Sequence, residues 1–332
     1  MERIVCLAHR VLHDYFSCFA YNLQYMNFLI TGAAGFLGSS LANHLAREGH
    51  QVRGLDDLST GDPKALAPDV HFTRGDVSDR PKLWTLLQEV DVVYHLAARV
   101  SVPESVLYPR DYNTVNVGGT VALMEAMRDV GVGRVVLASS GAIYGDLAEQ
   151  PLKETLRPNP RSPYAVSKLA AEYYVHTIGN LWGIETVSLR IFNAYGPGQH
   201  LPASHPPVVP HYLRQAQRGG TLVAHGDGSQ TRDYVYVDDV VSGLVAAATA
   251  PNINGLVINI GSGKETSIRE LIKCVQDVTG SETEVIYNPN TSAGVSRLWA
   301  DVSLAGQKLN YRPSIGLAEG LRLTLKRDSR FK

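Results

Sequence analysis

The feature that most constrains the fold of this chain is a glycine-rich turn between a short apolar segment and a helical pattern. Three glycines, each three residues from the next, follow the segment Asn27–Thr31: they are Gly32, Gly35 and Gly38. They suit, in that order, a tight turn, a close approach of the backbone to a ligand, and close packing of a helix on a strand. The N–H groups that begin the helix would face a pyrophosphate. The pattern predicts a dinucleotide site that includes Gly32, Gly35, Phe36, Leu37 and Gly38.

Acidic residues after the second predicted strand indicate which dinucleotide binds. Asp56 lies about 20 residues beyond the glycine turn, where dinucleotide-binding proteins place an acid, and Asp57 follows it. A carboxylate at this point binds the adenosine ribose 2′-hydroxyl and repels a 2′-phosphate. We therefore expect NAD rather than NADP, bound in part by Asp56 and Asp57.

Two later strand ends add candidate contacts to the same cofactor. Asp76 and Val77 follow the third predicted strand, and the Asp76 carboxylate either accepts from the adenine amino group or caps a helix. Leu96, a further candidate, ends the fourth, and Ala97 and Ala98 follow it. The small side chains of the two alanines either let the dinucleotide lie against the backbone or simply let a helix pack on the sheet. Both interpretations stay open for each segment.

Short apolar runs alternate with amphipathic stretches after the first 25 residues, which is typical of βαβ units around a parallel sheet. The predicted strands are Asn27–Thr31, Gln51–Leu55, His71–Thr73, Val92–Leu96, Arg134–Ala138, Thr186–Ile191 and Leu256–Ile260. The predicted helices between them are Leu37–Glu48, Arg80–Gln88, Tyr112–Val130, Tyr164–Trp182 and Val237–Ala250. A proline-rich stretch from Pro197 to Pro210 is predicted to form a loop. Beyond it the pattern predicts a helix, a strand and a final helix at Ser267–Val278, Thr283–Tyr287 and Leu317–Lys326.

The expected fold class is α/β, a Rossmann-type doubly wound parallel sheet with a smaller α+β C-terminal substrate lobe. We expect residues 26–191 to form the NAD-binding domain, with 237–260 returning to it, and residues 192–332 to form mainly the substrate lobe. Residues 1–25 precede a second methionine, Met26, and are interpreted as an N-terminal extension that adds nothing to the domain.

Charge and composition exclude several classes of function. The 332 residues carry 31 Lys and Arg against 32 Asp and Glu, a formal net charge of -1, so no basic excess serves nucleic acid. No apolar run is long enough to span a bilayer, and charges scattered through the first 25 residues break the pattern of a signal peptide. Three Cys without a Cys-x-x-Cys pair indicate neither a disulfide framework nor a zinc site. We expect a cytoplasmic protein with no metal, membrane or nucleic-acid partner.

A tyrosine and a lysine four residues apart supply a candidate catalytic pair. Tyr164 and Lys168 open a predicted helix, so both side chains leave one face. Tyrosine, with a pKa of about 10, is a poor base at neutral pH, but a nearby ammonium stabilises the phenolate. Alone, such a pair is more often a packed tyrosine and a solvated lysine. After a glycine turn, an acidic ribose residue and the strand-end Ser140, it indicates catalysis.

These motifs together resemble the extended short-chain dehydrogenase/reductase family, and within it the nucleotide-sugar epimerases. The resemblance covers nearly everything after the N-terminal extension. It implies Ser140 as the catalytic serine, Tyr164 as the general base and Lys168 as its partner, with Lys168 also on the nicotinamide ribose. It further implies that Asn116 and Phe192 lie near the nicotinamide side of an NAD pocket.

Two later motifs narrow the substrate by the same resemblance. In similar epimerases, the Asn of an Arg-Ile-Phe-Asn segment contacts the diphosphate of a sugar nucleotide, and this role passes to Asn193. The Arg of a Gly-Asp-Gly-Ser-Gln-Thr-Arg-Asp segment pairs with phosphate, and this role passes to Arg232, whose fork matches phosphate oxygens. The alternative for Arg232 is a structural pair with Asp238 or Asp239. The expected partner is a UDP-sugar substrate, which Ser140 and Tyr164 would also contact.

The turn after the catalytic serine indicates the reaction. Related 4,6-dehydratases carry Asp-Glu there and related UDP-glucuronate decarboxylases carry a Glu, whereas this chain has Gly141 and Ala142. Neither side chain can transfer a proton, which favours NAD-dependent epimerisation at C4 of a UDP-hexose. UDP-glucose and UDP-galactose are the expected substrates, and their N-acetyl and uronic acid forms stay open. The alternative is a decarboxylase or dehydratase of the same family.

Some positions depart from the family pattern or stay ambiguous. Similar enzymes usually have an Arg-x-Gly-Asp segment that clamps phosphate, and here that arginine's role is either lost or taken by Arg297. Leu298, intermediate in size, stands where related epimerases gate N-acetyl sugars. Ser101 either contacts the sugar or caps a helix. The resemblance also implies a homodimer formed through helices around Tyr112–Val130 and Tyr164–Trp182.

Overall fold

The structure of the chain, a computed structural model, describes residues 25–289 and 294–332. The predicted N-terminal extension lies outside these residues apart from Tyr25, and so does part of the stretch before Arg297. In the part of the chain that is described, no helix combines the length and the apolar character needed to cross a membrane.

All seven predicted strands lie in one parallel sheet. Its strands are β1 (Asn27–Thr31), β2 (Gln51–Asp56), β3 (Val70–Arg74), β4 (Val92–His95), β5 (Arg134–Ser140), β6 (Glu185–Ile191) and β11 (Leu256–Ile260). Their order is β3-β2-β1-β4-β5-β6-β11, so the chain direction across the sheet reverses between β1 and β4. Ligands of doubly wound sheets bind beyond the carboxyl ends of the strands at such a reversal. The predicted Rossmann-type fold is confirmed.

Helices cover both faces of this sheet. They are α1 (Phe36–Arg47), α2 (Arg80–Leu86), α3 (Val102–Leu107), α4 (Pro109–Tyr112), α5 (Gly119–Val130), α6 (Pro163–Trp182) and α8 (Val237–Thr249). Alternate strand residues face opposite ways: Phe28 and Ile30 pack in one core with α1 and α8, whereas Leu29 packs in the other with α2, α5 and α6. The core therefore lies on both sides of the sheet, and only the strand ends are left for a site.

The predicted helix Tyr112–Val130 is wrong in one respect. A π-helical turn, Asn113–Gly118, separates the end of α4 from the start of α5. The glycines at 118 and 119 weaken the helix locally, and Asn116 within the turn has hydrogen-bond partners outside it. The turn therefore gives Asn116 its position beside the strand ends.

The remaining elements build a smaller α+β lobe. Its strands are β7 (Asn193–Tyr195), β8 (Leu222–His225), β9 (Thr231–Arg232), β10 (Tyr234–Tyr236), β12 (Thr266–Ser267), β13 (Val285–Asn288) and β14 (Arg297–Leu298). Its helices are α7 (Val208–Gln217), α9 (Ile268–Thr279), α10 (Ser303–Leu309) and α11 (Leu317–Arg327). The predicted loop up to Pro210 is wrong at its end, because Pro210 lies in the first turn of α7, where no intrahelical N–H bond is lost.

Candidate active site

The glycine turn is packed too tightly for any side chain. Gly32 has φ +72°, and a Cβ on it would lie 2.7 Å from the Ala97 nitrogen. A Cβ on Gly38 would lie 2.0 Å from the Gly32 carbonyl oxygen. Gly35 is the N-cap of α1 and has no side chain, so no side chain caps the N–H groups of Phe36 and its neighbours at the start of the helix. This cradle fits the pyrophosphate of NAD, which helix N-termini and close backbone favour.

Asp56 holds the same turn in place. Its Oδ2 accepts from the Ala34 N–H at 3.0 Å and its Oδ1 from the Leu58 N–H at 2.8 Å. Burial raises the pKa of Asp56, and the two N–H donors partly offset that rise. A carboxylate offers about four lone pairs, so both oxygens can still accept from a ribose hydroxyl. Asp57 is exposed and accepts from the Ser59 N–H at 2.8 Å.

The structure after β3 contradicts one of the two interpretations of Asp76. Asp79, and not Asp76, is the N-cap of α2. Asp76 Oδ1 instead accepts from the N–H and the hydroxyl of Ser78, each at 2.7 Å. Val77 is buried where a Cβ on Gly119 would lie 2.4 Å from it. The helix-cap alternative for Asp76 is therefore wrong, and its contact with adenine stays a prediction.

A buried histidine at the end of β4 joins three parts of the site. Thr120 Oγ1 donates to the Asn116 carbonyl oxygen at 2.6 Å and so must accept from His95 Nε2 at 2.8 Å. His95 Nδ1 then carries no proton and accepts from Thr31 Oγ1 at 2.7 Å, which in turn accepts from the Ala97 N–H at 3.3 Å. Burial lowers the pKa of His95 to about 3. A neutral His95 with its proton on Nε2 therefore ties β1 and the loop after β4 to the turn of Asn116.

Asn116 and the partly exposed Leu96, Ala97 and Ala98 lie along this edge. Asn116 Oδ1 accepts from the Arg99 N–H at 2.8 Å, while its Nδ2 donates to the Arg99 carbonyl oxygen and to Ser167 Oγ at 3.0 and 2.9 Å. Both N–H groups are therefore used inside the protein. A contact of Asn116 with the nicotinamide stays a prediction and has one oxygen lone pair available to it.

Tyr164 is brought to Ser140 by the start of α6. Ser162 caps this helix by accepting from the Ala165 N–H at 3.1 Å, and the fixed φ of Pro163 suits the first helical position. Tyr164, 8% exposed, follows on the face of α6 that meets Ser140 at the end of β5. Burial raises the pKa of Tyr164, and the interaction with the Ser140 side chain opposes the rise. The Ser140 hydroxyl oxygen accepts from the Ala142 N–H at 3.2 Å.

Lys168 lies one turn further along α6 and is 4% exposed. Burial lowers the pKa of its ammonium to about 8, and the Glu172 carboxylate opposes that fall. Lys168 also lowers the pKa of His95. Its expected effect on the phenolate of Tyr164 stays a prediction.

The turn after Ser140 is closely packed at position 141. A Cβ on Gly141 would lie 3.1 Å from three ring atoms of Phe192. Phe192 is itself 6% exposed and packs with Tyr144 and Leu298 in a small separate core. A side chain at position 141 would therefore need the Phe192 ring to shift by a few tenths of an ångström. Leu298 supports Phe192 from behind, and its effect on N-acetyl sugars stays a prediction.

Asn193 and Arg232 lie on neighbouring elements of the lobe. Asn193 Oδ1 is buried with no hydrogen-bond partner among the described residues, as expected of a group that a ligand satisfies. Arg232 is largely buried, which lowers its pKa. Asp238 pairs with Arg327 at 2.7 Å, and Asp239 accepts from the N–H groups of residues 314 and 315. The alternative pairing of Arg232 with these two carboxylates is therefore wrong.

The other candidate substrate residues have protein partners. Arg297 is exposed and forms a bidentate pair with Glu265 at 2.7 and 2.8 Å. Ser101 caps α3 by accepting from the Glu104 N–H at 3.3 Å, as one of its two interpretations predicts. Sugar or phosphate contacts of Arg297 and Ser101 stay predictions. Among the described residues no group of three or more His, Cys, Asp or Glu could hold a metal ion.

Two residues of this site, His95 and Glu172, were not among those predicted from the sequence. A polar residue that ends an otherwise apolar strand is the signal for His95. An acid four residues after Lys168, on the face that also carries Tyr164, is the signal for Glu172.

Comparisons with known proteins agree with this geometry. The family model described as NAD dependent epimerase/dehydratase family matches residues 28–261. A UDP-glucose 4-epimerase of Mycolicibacterium smegmatis is 40% identical over 309 residues, 91% of this chain and 98% of the relative. A UDP-glucose 4-epimerase of Thermotoga maritima, solved with UDP-glucose, is 34% identical with a TM-score of 0.87, covering 91% of this chain and 98% of that one. A UDP-N-acetylglucosamine 4-epimerase of Methanobrevibacter ruminantium, solved with UDP-N-acetylmuramic acid, is 32% identical with a TM-score of 0.87, covering 92% and 98%.

These matches confirm the resemblance drawn from the motifs, because the glycine turn and the residues Ser140, Tyr164 and Lys168 all fall inside the matched segment. The chain belongs to the NAD dependent epimerase/dehydratase family.

Proposed function

We propose that this protein catalyses NAD-dependent epimerisation at C4 of a UDP-hexose, interconverting UDP-glucose and UDP-galactose. The observation that carries the proposal is the meeting of Ser140, at the end of β5, with Tyr164 and Lys168, one turn apart on α6, in a fold whose glycine turn fits NAD. The relatives named for UDP-glucose and UDP-N-acetylglucosamine epimerisation support the same substrate class.

The reaction follows from what these side chains can do. Bound NAD supplies reversible hydride transfer. Tyr164, as the phenolate, takes the proton of the C4 hydroxyl and returns it to the epimer, so this side chain gains and then loses one proton in each turnover. Ser140 shares this proton and donates to the oxygen of the 4-keto intermediate. Lys168 supports the phenolate and binds the nicotinamide ribose.

Dehydration and decarboxylation are disfavoured by the same geometry. Both reactions need a further proton-transfer group in the turn after Ser140, and the Phe192 ring occupies the space beside Gly141. A turn without an acid still supports epimerisation, since that reaction removes and restores one proton on one oxygen.

We assign substrate binding to residues of the lobe. Asn193 and Arg232 would hold the diphosphate, with Arg232 already desolvated for a charged ligand. We further propose that residues 26–191 with 237–260 form the NAD domain, and that the rest of 192–332 forms the substrate lobe.

The experiment incubates purified protein separately with UDP-glucose, UDP-N-acetylglucosamine and UDP-glucuronate, and identifies the products by NMR. Inversion at C4 without added NAD is expected for at least the first. Release of carbon dioxide or water in place of inversion would replace the proposal by a decarboxylase or dehydratase. The ratio of kcat/KM values for the three substrates decides whether Leu298 admits an N-acetyl group.

We propose that the protein is a homodimer. Apolar side chains line the outer surface of α6, where Val166, Tyr173 and Leu181 are 53%, 62% and 70% exposed. Large exposed apolar surface on one helix marks an interface. Sedimentation should give twice the chain mass, and Tyr173→Glu should give a monomer, whereas the control Trp84→Glu, on α2, should not.

We also propose a cytoplasmic location. The partly buried Cys274 is a free thiol among the described residues, which fits a reducing compartment. Fractionation of cells that make the tagged protein tests this, and recovery outside the cytoplasm would contradict it.

A further inference from the structure

A buried ion pair lies directly behind the Ser–Tyr–Lys residues. Glu172, on α6, is 1% exposed, and Arg190, on β6, is 5% exposed. Arg190 Nε donates to Glu172 Oε1 at 3.0 Å and Arg190 Nη2 to Oε2 at 2.9 Å. Arg190 also donates to the phenol of Tyr144 at 2.9 Å, which donates to Asn259 Oδ1 at 2.8 Å. The carboxylate is therefore held in one orientation from the side of β6.

The same carboxylate contacts both elements that carry the proposed catalytic residues. Ser139 Oγ donates to Glu172 Oε1 at 2.5 Å, and Ser139 is the neighbour of Ser140 at the end of β5. Glu172 is on α6, two turns after Tyr164 and one after Lys168, so all three side chains leave the same face. One side chain thus sets the position of the β5 end relative to the face of α6.

Charge couples Glu172 to Lys168 as well. The Glu172 carboxylate opposes the fall that burial imposes on the Lys168 pKa. Tyr144 and Glu154 are the other titratable groups beside Arg190, and burial raises the pKa of both. His95 on β4 and His176 on α6 lie on the other sides, and burial lowers the pKa of both histidines, so they are neutral. Glu172 is therefore the anion that keeps a proton on Lys168.

Stability alone does not explain such a pair. The desolvation of two buried charges can exceed their attraction, and apolar residues of similar volume often stabilise a protein as well or better. A buried pair is better explained here by what it positions. It adjoins Ser140 through Ser139 and Lys168 through charge, the two places where the reaction needs a defined geometry.

We propose that Glu172 is a positioning residue for the reaction, which places Ser140 through Ser139 and keeps Lys168 charged. This inference rests on the proposed function for its kinetic test. It predicts two separable effects, one on the pH dependence of kcat through Lys168 and one on kcat itself through Ser139. Neither effect requires Glu172 to touch the substrate or the cofactor.

The charge effect is tested with Glu172→Gln, which keeps the size of the side chain and an acceptor for Ser139. With UDP-galactose as substrate, the alkaline limb of the pH profile, where kcat decreases, should move to a pH about one unit lower. As a result kcat at pH 8 should fall about fivefold, while KM changes less than twofold. The control is Glu185→Gln, which breaks the exposed pair with Arg134 on the far end of β6 and should leave the limb unchanged.

A second measurement keeps the charge test independent of epimerisation. The pH titration of the Lys168 side-chain ¹⁵N resonance, assigned by its loss in Lys168→Met, should show the same downward shift in Glu172→Gln without any sugar nucleotide. An unchanged Lys168 titration would overturn the charge effect even if the protein proved inactive on every UDP-sugar. Inactive wild-type protein with a shifted titration would refute only the proposed function.

If Glu172→Gln does not fold, a double variant provides the same test. Replacing Glu172 and Arg190 together by Gln leaves no charge buried alone, and it should shift the Lys168 titration downward too, since Glu172 is the group that supports the ammonium.

Ser139→Ala tests the positioning effect, with kcat expected to fall at least about threefold and the alkaline limb unmoved. Unchanged kcat in Ser139→Ala would overturn that effect.

Discussion

The carbonyl oxygen of Gly32 lies 2.0 Å from the position that a Cβ would take on Gly38. The turn that ends β1 and the first turn of α1 are therefore packed backbone against backbone. This contact sets the distance of α1 from the sheet, and with it the place where the N–H groups at the start of the helix can meet a phosphate.

Gly38→Ala should therefore weaken both folding and NAD binding. The atom that the new methyl group meets is backbone and cannot swing away, so a loss of about 1–3 kcal/mol in the free energy of unfolding is expected, together with a higher Kd for NAD. Gly133→Ala is the matched control, since a Cβ there meets nothing within 4 Å. Denaturant unfolding and calorimetric titration check this, and equal behaviour of the two variants would contradict it.

Tyr164→Phe should separate NAD binding from chemistry. The ring and its packing on Tyr112 are retained, while the proton-transfer group is lost. We expect kcat for UDP-galactose to fall about 10²–10⁴-fold, with NAD affinity changed little. Tyr173→Phe, which alters an exposed tyrosine of the same helix, is the control. Full activity in Tyr164→Phe would remove this residue from the mechanism.

The pH dependence of kcat should report Lys168. Its pKa is lowered by burial to about 8, so the side chain is charged below that pH and neutral above it. Because the phenolate of Tyr164 needs the ammonium, kcat should fall as the pH rises through about 8, well before the usual lysine value of about 10.4. A profile of log kcat against pH that stays level to pH 10 would show that Lys168 is not needed in its charged form.

The two candidate phosphate-binding arginines should behave differently. Arg232→Ala should raise KM for UDP-galactose at least about tenfold, because a desolvated guanidinium binds phosphate through charge-assisted hydrogen bonds. Arg297→Ala should change KM less than twofold, since the exposed Arg297 is paired with Glu265. The reverse ranking from initial rates would move the diphosphate contact to Arg297.

The strands were predictable because their apolar runs are short and bounded. β1 and β11 have the predicted limits, and the other five differ by no more than two residues at either end. The glycine turn and the Tyr164–Lys168 spacing were equally accessible, because each depends on residues close together in the sequence. A short sequence pattern was therefore sufficient to predict those parts of the site whose geometry depends on neighbouring residues.

Contacts between distant segments account for what sequence analysis missed. The pair of Arg297 with Glu265 joins residues 32 positions apart, and the bond from Thr31 to His95 joins residues 64 apart. The spacing of Tyr164 and Lys168 predicts that they act together, but it does not reveal that Lys168 also interacts with His95 on β4. The π-helical turn at Asn113–Gly118 likewise depends on bonds that Asn116 forms outside the turn.

Epimerisation by the proposed route requires that hydrogen leaves C4 of the sugar as hydride and returns to it inside one pocket. The measurement is NMR of the product formed from UDP-glucose carrying deuterium at C4, incubated with purified protein in ordinary water and without added NAD. We expect UDP-galactose that retains the deuterium at C4. UDP-galactose that has lost the deuterium to water, or a product that has lost carbon dioxide or water in place of inversion, would contradict it.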